Sequence, residues 1–536
     1  MRRVVLCHPR SGWPAKAPGK HMTPPEPPVG FRPFGSRRAL ALLLFGLTLG
    51  ACGWSLVKNR QLGYMGGLAD TWYALGLNLN ANGVFGQGLE PTVFKPPGYP
   101  AFIAVVLSIV GAPRKSSDIA IFPPQSDLFG LSVPFDPGDL ERGALAIYWA
   151  QSALLAASAA LLFLWLSGFS GLRPAFVAGF VLGINPYCVI LTGLLNYSVT
   201  HLFLLILGCW SLQQALESTE RRALRLALSG VCWGLATLVR PVTLILPPFL
   251  YLAMVPFSAS HAKAIRNFMA LMLGMGLVLA PWTLRNFALT HRLVPVNAQA
   301  WKNIWAATVQ PVAADPNHFR YKTVRASAIA IESAVAGSAH RVGREPLSIP
   351  ENLALEDRFK SAALRNIRER PTLYLGNAWR SFITFNKDLN TVLIKVFLYI
   401  QKKRAEEVQQ NWFAPRASQD FYPSGASDGV SRFFAALDVL ACLGLIAAVW
   451  RRTPALLVPG LVHLCLAVAH SVTWMDLMYY YVKVPFVLAF AFFFTHRVAA
   501  WSLPGLGGAR RVSLGLVLDL ALAFSCLWLA AIVLRV

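Results

Sequence analysis

The sequence predicts an all-α polytopic membrane protein with about 11 spanning helices, and three observations carry that prediction. Of its 536 residues, 55% are hydrophobic and only 14% are charged, where a soluble chain carries about a quarter charged residues. Mean hydropathy is +0.49, and several apolar runs reach the roughly 20 residues that cross a bilayer. Basic clusters flank those runs, as the positive-inside pattern requires.

Taken in order, residues 1–36 are rich in proline and arginine and lack periodicity, which predicts a disordered cytoplasmic N-terminus. The first apolar run opens only after Arg38 and is too long for a cleavable signal, and Met22 is a second start that would leave the membrane part intact. Spanning segments are expected at 39–57, 143–168, 175–193, 198–216, 225–239, 241–257, 267–285, 432–450, 455–472, 479–495 and 513–534. With Arg37 and Arg38 inside, Arg173, Arg221/Arg222/Arg225, Lys263/Arg266, Arg451/Arg452 and Arg497/Arg510/Arg511 all fall on the cytoplasmic side. That parity requires that 98–112 does not cross. Its length of roughly 10–14 residues suits an interfacial or re-entrant helix, and Pro96, Pro97 and Pro100 suit an entry turn.

The expected organisation follows. Residues 37–285 form an N-terminal transmembrane module whose first external loop, 58–142, holds interfacial helices. Residues 286–430 form an external region, with amphipathic patches at 353–368 and 372–385 that predict a small helical cap. Residues 431–536 carry the C-terminal transmembrane helices. No internal repeat of the kind that builds two-halved transporters is present.

Composition also excludes classes of function. The net charge of +24 would suit nucleic acid, but many arginines sit at the ends of apolar runs and no RNA- or DNA-binding motif accompanies them. The surplus instead predicts membrane lipids and lipid phosphates as partners. All of the eight cysteines except Cys7 lie in apolar segments without metal-type spacing, and so read as small buried hydrophobes. No disulfide framework and no zinc site are expected; no cofactor is certain, and a divalent metal stays open without support from the sequence. A phosphate-cradling glycine loop, a zinc-protease helix and a nucleophile elbow are all missing from the sequence.

Chemistry concentrates in the first external loop. Asp70 shares a helical face with Tyr73, Ala74 and Leu77; it reads as an N-cap aspartate or as a general base, and the two are compatible. Lys95 precedes the rigid pair Pro96-Pro97, either as an interfacial lysine that snorkels to headgroups or as a point charge for a phosphate. Tyr99 closes the same motif. Arg240-Pro241 falls between two apolar segments, where a charge is costly unless it is paired or serves a site. Pro281-Trp282 with Arg285-Asn286 reads as an interfacial belt. Asn196, followed by Tyr197 and His201, reads as a turn asparagine or as a hydrogen-bond partner for a sugar or for Asp70. Tyr479-Tyr480-Tyr481 with Lys483 reads as an aromatic belt or as a stacking surface for a sugar or isoprenoid.

Together, these segments resemble the GT-C superfamily of membrane glycosyltransferases, in particular family 39, the dolichyl-phosphate-mannose protein mannosyltransferase-like group that includes the aminoarabinose transferase. The resemblance runs from Asp70 through Lys95-Pro96-Pro97-Gly98-Tyr99 and Gly234 to Pro241, to Pro281-Trp282 and Arg285-Asn286, with a weaker echo at Tyr479–Pro485. It implies a GT-C-like bundle and transfer of a sugar from a polyprenyl-phosphate donor to a lipid, glycan or protein acceptor, with inversion. It further implies an active site on the external face of a multi-pass protein, in bacteria the periplasmic face of the inner membrane. Asp70 matches the family's catalytic aspartate, Lys95 a lysine on the carrier phosphate, and Arg240 a common basic position; Tyr73, Tyr99, Asn196 and Lys483 are then substrate-contact candidates. This chain departs from the pattern at Thr71, where glutamate is frequent, at Asn196, where an acid is expected, and at the tyrosine run that replaces an arginine-tyrosine pair. The alternatives are a non-catalytic lipid-phosphate or glycan-binding membrane protein, and a lipid-linked sugar flippase.

Overall fold

The computed structural model describes residues 34–58, 72–87, 89–111, 137–218, 220–309, 328, 330–335, 348–386, 436–446, 456–473 and 481–501. Asp70, Thr71, Tyr479, Tyr480, the N-terminal 33 residues and the span expected at 513–534 lie outside the described residues.

Every described element but one short ribbon is helical. Helix α1 (Phe34–Lys58) is followed by α2 (Trp72–Asn82), by the ribbon of β1 (Gly86–Gln87) and β2 (Glu90–Pro91), and by α3 (Gly98–Val110). The ribbon is antiparallel, with Gly86 opposite Pro91. Helices α4 (Pro137–Leu166), α5 (Leu172–Gly183), α6 (Pro186–Thr192), α7 (Ser198–Glu217) and α8 (Arg222–Val239) then form the centre of the bundle. A 3₁₀ turn at Pro241–Ile245 leads to α9 (Pro247–Met254) and the long α10 (His261–Thr290). Beyond it come α11 (Ala300–Val309), α12 (Ile349–Glu369), α13 (Pro371–Asn386), α14 (Ala436–Ile446), α15 (Leu457–Val472) and α16 (Val484–Trp501).

Five helices are long and apolar enough to cross a membrane, α1, α4, α7, α8 and α10; six apolar helices among the described residues are shorter. This makes the chain an integral membrane protein with a helical bundle, and among the described residues it has five full-length spans where about 11 were expected. Two expected spans are broken, and proline is the reason. The segment 175–193 divides at Asn185-Pro186, where the Asn185 side chain caps α6 by accepting from the amides of Tyr187 and Cys188. The segment 241–257 divides into two 3₁₀ turns around α9, each with a proline at its start. Within the segment 98–112, Gly98–Val110 forms α3, whose 13 residues reach about 20 Å, well short of a bilayer core.

Packing follows membrane rules, in which small residues let helices approach. A β-carbon on Gly230 of α8 would strike the Leu271 carbonyl of α10, and one on Gly274 of α10 would strike the Ala227 carbonyl, so the two backbones meet at a glycine seam. The opposite stripe of α10, with Met269, Leu273, Leu277 and Leu284, is exposed, as a hydrocarbon-facing surface would be. Outside the bundle, α11 and α12 share a small core around Trp305, Leu355 and Phe359. Helix α13, expected in the cap, instead docks on the bundle: Tyr374 donates to the Val472 carbonyl of α15 at 2.9 Å, and Phe385 is fully buried.

The bundle has two distinct ends. At one, Arg222 donates to the carbonyls of Leu216 and Phe257, which gathers the end of α7, the start of α8 and the approach to α10. The 18 residues of α8 carry the chain about 27 Å to the other end, where Arg240 stands.

Candidate functional site

Proline and glycine bring the turn that carries Lys95 against the end of α8 that carries Arg240. Pro241 disfavours helical geometry in the residue before it, so Arg240 leaves α8 in an extended conformation (φ −146°, ψ 112°) while its amide still closes the helix on Ala236. Pro96 and Pro97 bring the chain from Lys95 straight into α3. The first residue of α3, Gly98, lies against the last turn of α8: a β-carbon there would sit 2.6 Å from the Val239 nitrogen. Only glycine allows this approach, and it fixes the Lys95 turn beside Arg240.

Aromatic rings bridge the two cations. Lys95 Nζ lies 4.8 Å from the centre of the Trp72 ring. Trp72 meets Tyr197 edge to face at 5.4 Å, and Tyr99 at 6.1 Å. Tyr197 in turn faces the Arg240 guanidinium at 5.5 Å, with Tyr481 on that cation at 5.8 Å. Arg240 Nη1 donates to the Tyr481 hydroxyl at 3.0 Å, and the same hydroxyl shares a hydrogen bond of 2.7 Å with His201 Nδ1. Arg240 is only 6% exposed. Aromatic faces and a hydroxyl thus stabilise a nearly buried charge; each cation–π contact contributes about 0.5–2 kcal/mol.

The expected site residues fall into three groups. Lys95 and Arg240 converge, and Asn196 joins them through its neighbour Tyr197; its Oδ1 accepts from the Ser198 amide at 2.9 Å and from the Ser198 hydroxyl at the start of α7. Tyr73 and Tyr99 are packing residues in the cluster beneath. The Tyr99 hydroxyl donates to Gln151 Oε1 at 2.9 Å, Gln151 being tied to the carbonyls of Thr192 and Leu194; burial pushes the Tyr99 phenol well above its ordinary range, so it serves as a neutral donor. Lys483 lies elsewhere: its side chain is 2% exposed and its ammonium pairs with Asp438 of α14 at 3.3 Å. Asp70 lies outside the described residues, two positions before Trp72 in the chain.

Sequence reasoning missed Trp72, Tyr197 and Tyr481 as partners of the cations. The available signal was their position beside Asp70, beside Asn196 and before Lys483, but an interfacial aromatic belt accounts for the same spacing. An apolar cavity of about 310 Å³ between α1, α4 and α7, lined by residues such as Phe45, Ala157, Leu161 and Leu207, holds none of the candidates.

No family model and no curated protein matches the sequence. Among solved structures, the archaeal oligosaccharyltransferase AglB of Archaeoglobus fulgidus, in complex with an inhibitory peptide and a dolichol-phosphate, matches with a TM-score of 0.49 at 13% identity, over 92% of this chain and 56% of that one. The same oligosaccharyltransferase in complex with zinc and sulfate matches with a TM-score of 0.45 at 13% identity, over 87% and 49%. ArnT of Cupriavidus metallidurans, bound to undecaprenyl phosphate, matches with a TM-score of 0.35 at 13% identity, over 88% and 81%. The chain spans about half the length of the oligosaccharyltransferase chains it matches. At these identities the likeness assigns no residue a role.

Proposed function

We propose that this chain is a glycosyltransferase that moves a hexosyl or pentosyl group from a polyprenyl-phosphate carrier to an acceptor hydroxyl on the external face of the membrane, with inversion. The observation that carries this reading is the convergence of Lys95 and Arg240 at one end of the bundle through Trp72 and Tyr197. Two cations from distant parts of the chain, at the boundary of a low-dielectric bundle, suit a lipid-borne phosphate. The external assignment, the periplasmic side of a bacterial inner membrane, is supported by the arginines gathered at the opposite end, Arg222 among them.

The chemistry asks little else of the protein. The acceptor oxygen loses its proton to the Asp70 carboxylate and bonds to the anomeric carbon from the face opposite the phosphate. The bond from that carbon to the phosphate oxygen breaks, and the phosphate leaves with the electron pair. The donor phosphodiester has one negative charge and the departing monoester two, so negative charge grows where Lys95 and Arg240 stand. Cations fixed in advance stabilise that growth more than they stabilise the bound donor. Near the bilayer each contact is also stronger than in water. A positioned base adds about 10²–10⁴-fold.

The test is turnover of radiolabelled polyprenyl-phosphate sugars by the purified full-length protein. Asp70→Asn is expected to lower transfer by about 10²-fold or more while expression is retained; wild-type turnover in that variant removes Asp70 from the mechanism. A second reading, a lipid-phosphate binder without catalysis, draws support from Asn196, which stands where the resembled family has an acid and is engaged by the amide and hydroxyl of Ser198. Carrier binding by the wild type with no labelled product from any donor would favour it.

A further inference from the structure

The loop that presents Lys95 has little strand pairing of its own. Its ribbon pairs only two residues on each strand, and an isolated two-stranded ribbon is marginal. Asn78 of α2 donates to the carbonyls of Val84 and Gly86, and the Thr92 amide to Phe85 O; the part next to Lys95 is held by α10 and the segment 294–298 that follows. Three consecutive carbonyls before Lys95 each accept a hydrogen bond from there. Arg285 Nη1 donates to Thr92 O at 2.8 Å, the Ala298 amide to Val93 O at 2.9 Å, and the Asn297 side-chain amide to Phe94 O at 3.0 Å. Arg285 also donates to Phe85 O at 3.2 Å and lies over the Trp282 ring at 4.5 Å.

The donors are held in turn. Trp282 Nε1 donates to Val296 O at 2.7 Å, and the Asn286 amide to Val294 O and Val296 O, both at 3.0 Å. Val93, Val294 and Ala298 close a buried apolar knot between the two segments. Pro96 and Pro97 fix the chain on one side of Lys95, and this strap fixes it on the other. A lysine side chain carries a flexible four-carbon stem, so its backbone sets where the ammonium can reach.

We propose that Arg285 and Asn297 are positioning residues for the donor phosphate, holding residues 92–94 so that Lys95 is aimed at the end of the bundle that carries Trp72, Tyr197 and Arg240. This rests on the reading of Lys95 as a phosphate contact. It gives the Trp282-Arg285-Asn286 motif a role that an interfacial belt does not.

The experiment measures binding of undecaprenyl phosphate to the full-length protein in nanodiscs. Lys95→Ala is expected to weaken binding about tenfold, and Asn297→Ala and Arg285→Gln each about three- to tenfold. In a Lys95→Ala background, Asn297→Ala is expected to cause no further loss, which a merely structural role would not produce. Losses that multiply, or wild-type binding by Asn297→Ala beside a weakened Lys95→Ala, overturn the positioning role and leave the phosphate reading standing. Wild-type binding by Lys95→Ala overturns the phosphate reading, and the positioning role with it. Should Arg285→Gln fail to fold, Asn297→Ala, which removes a single side-chain bond at a partly exposed position, decides the matter.

Discussion

Lys95 and Lys483 both stand against the helical bundle, one over an aromatic ring and the other beside a carboxylate. Lys483 is buried with its ammonium 3.3 Å from Asp438. Lys95 is partly exposed, with its ammonium over the Trp72 ring at 4.8 Å. A carboxylate at such range cancels the charge of an ammonium, and the pair becomes a brace between α14 and the start of α16. An aromatic face attracts a cation through the negative charge of its ring. Burial separates the two: the Lys483 side chain is 2% exposed, whereas Lys95 is partly exposed in the turn that packs on the end of α8.

Breaking the brace should have the largest effect. Asp438→Leu leaves a buried ammonium without its carboxylate, at a cost of about 3–5 kcal/mol, read as lost yield and a lowered melting temperature in detergent. Adding Lys483→Met should recover most of that loss, because an apolar pair of similar size replaces the ions. A single variant as stable as wild type would break this half of the comparison.

Gly98→Ala comes next. Its β-carbon would sit 2.6 Å from the Val239 nitrogen, and overpacking of this kind costs about 1–3 kcal/mol. Because the contact also sets the Lys95 turn beside Arg240, donor saturation should shift to higher concentration. A variant with wild-type melting and wild-type saturation would show that the two cations are placed by something else. The smallest effect is expected at Arg292, whose 2.7 Å pair with Asp357 has both side chains more than half exposed. Arg292→Ala should change stability by at most about 1 kcal/mol, and a larger loss would mean that burial is not what makes the Lys483 pair a brace.

Much of the bundle was legible in the sequence because hydropathy reports spans directly: α1, α4, α7, α8 and α10 fall on expected segments. The breaks were written there as well, in Asn185-Pro186 and in Pro241, Pro247 and Pro256, but a hydropathy window averages over a proline that ends a helix. Lys95 and Arg240 could be chosen singly, since a cation beside an apolar run needs a reason. Their convergence could not be read, because it depends on Gly98 meeting Val239 across a long stretch of chain. Asp438 and Lys483 were each visible as charges in apolar segments, and only the packing of α14 against α16 pairs them. Tyr481 was hidden for another reason: a tyrosine at a membrane interface needs no partner to explain it, so its bond to Arg240 left no separate trace.

The most direct test of the central claim is the saturation curve of the purified full-length protein with its polyprenyl-phosphate sugar donor, measured for wild type and Lys95→Ala. A charge-assisted contact with the phosphate is worth about 1.5–3 kcal/mol, so the donor KM is expected to rise about tenfold or more with the melting temperature nearly unchanged. A Lys95→Ala protein that saturates at the wild-type donor concentration would contradict it.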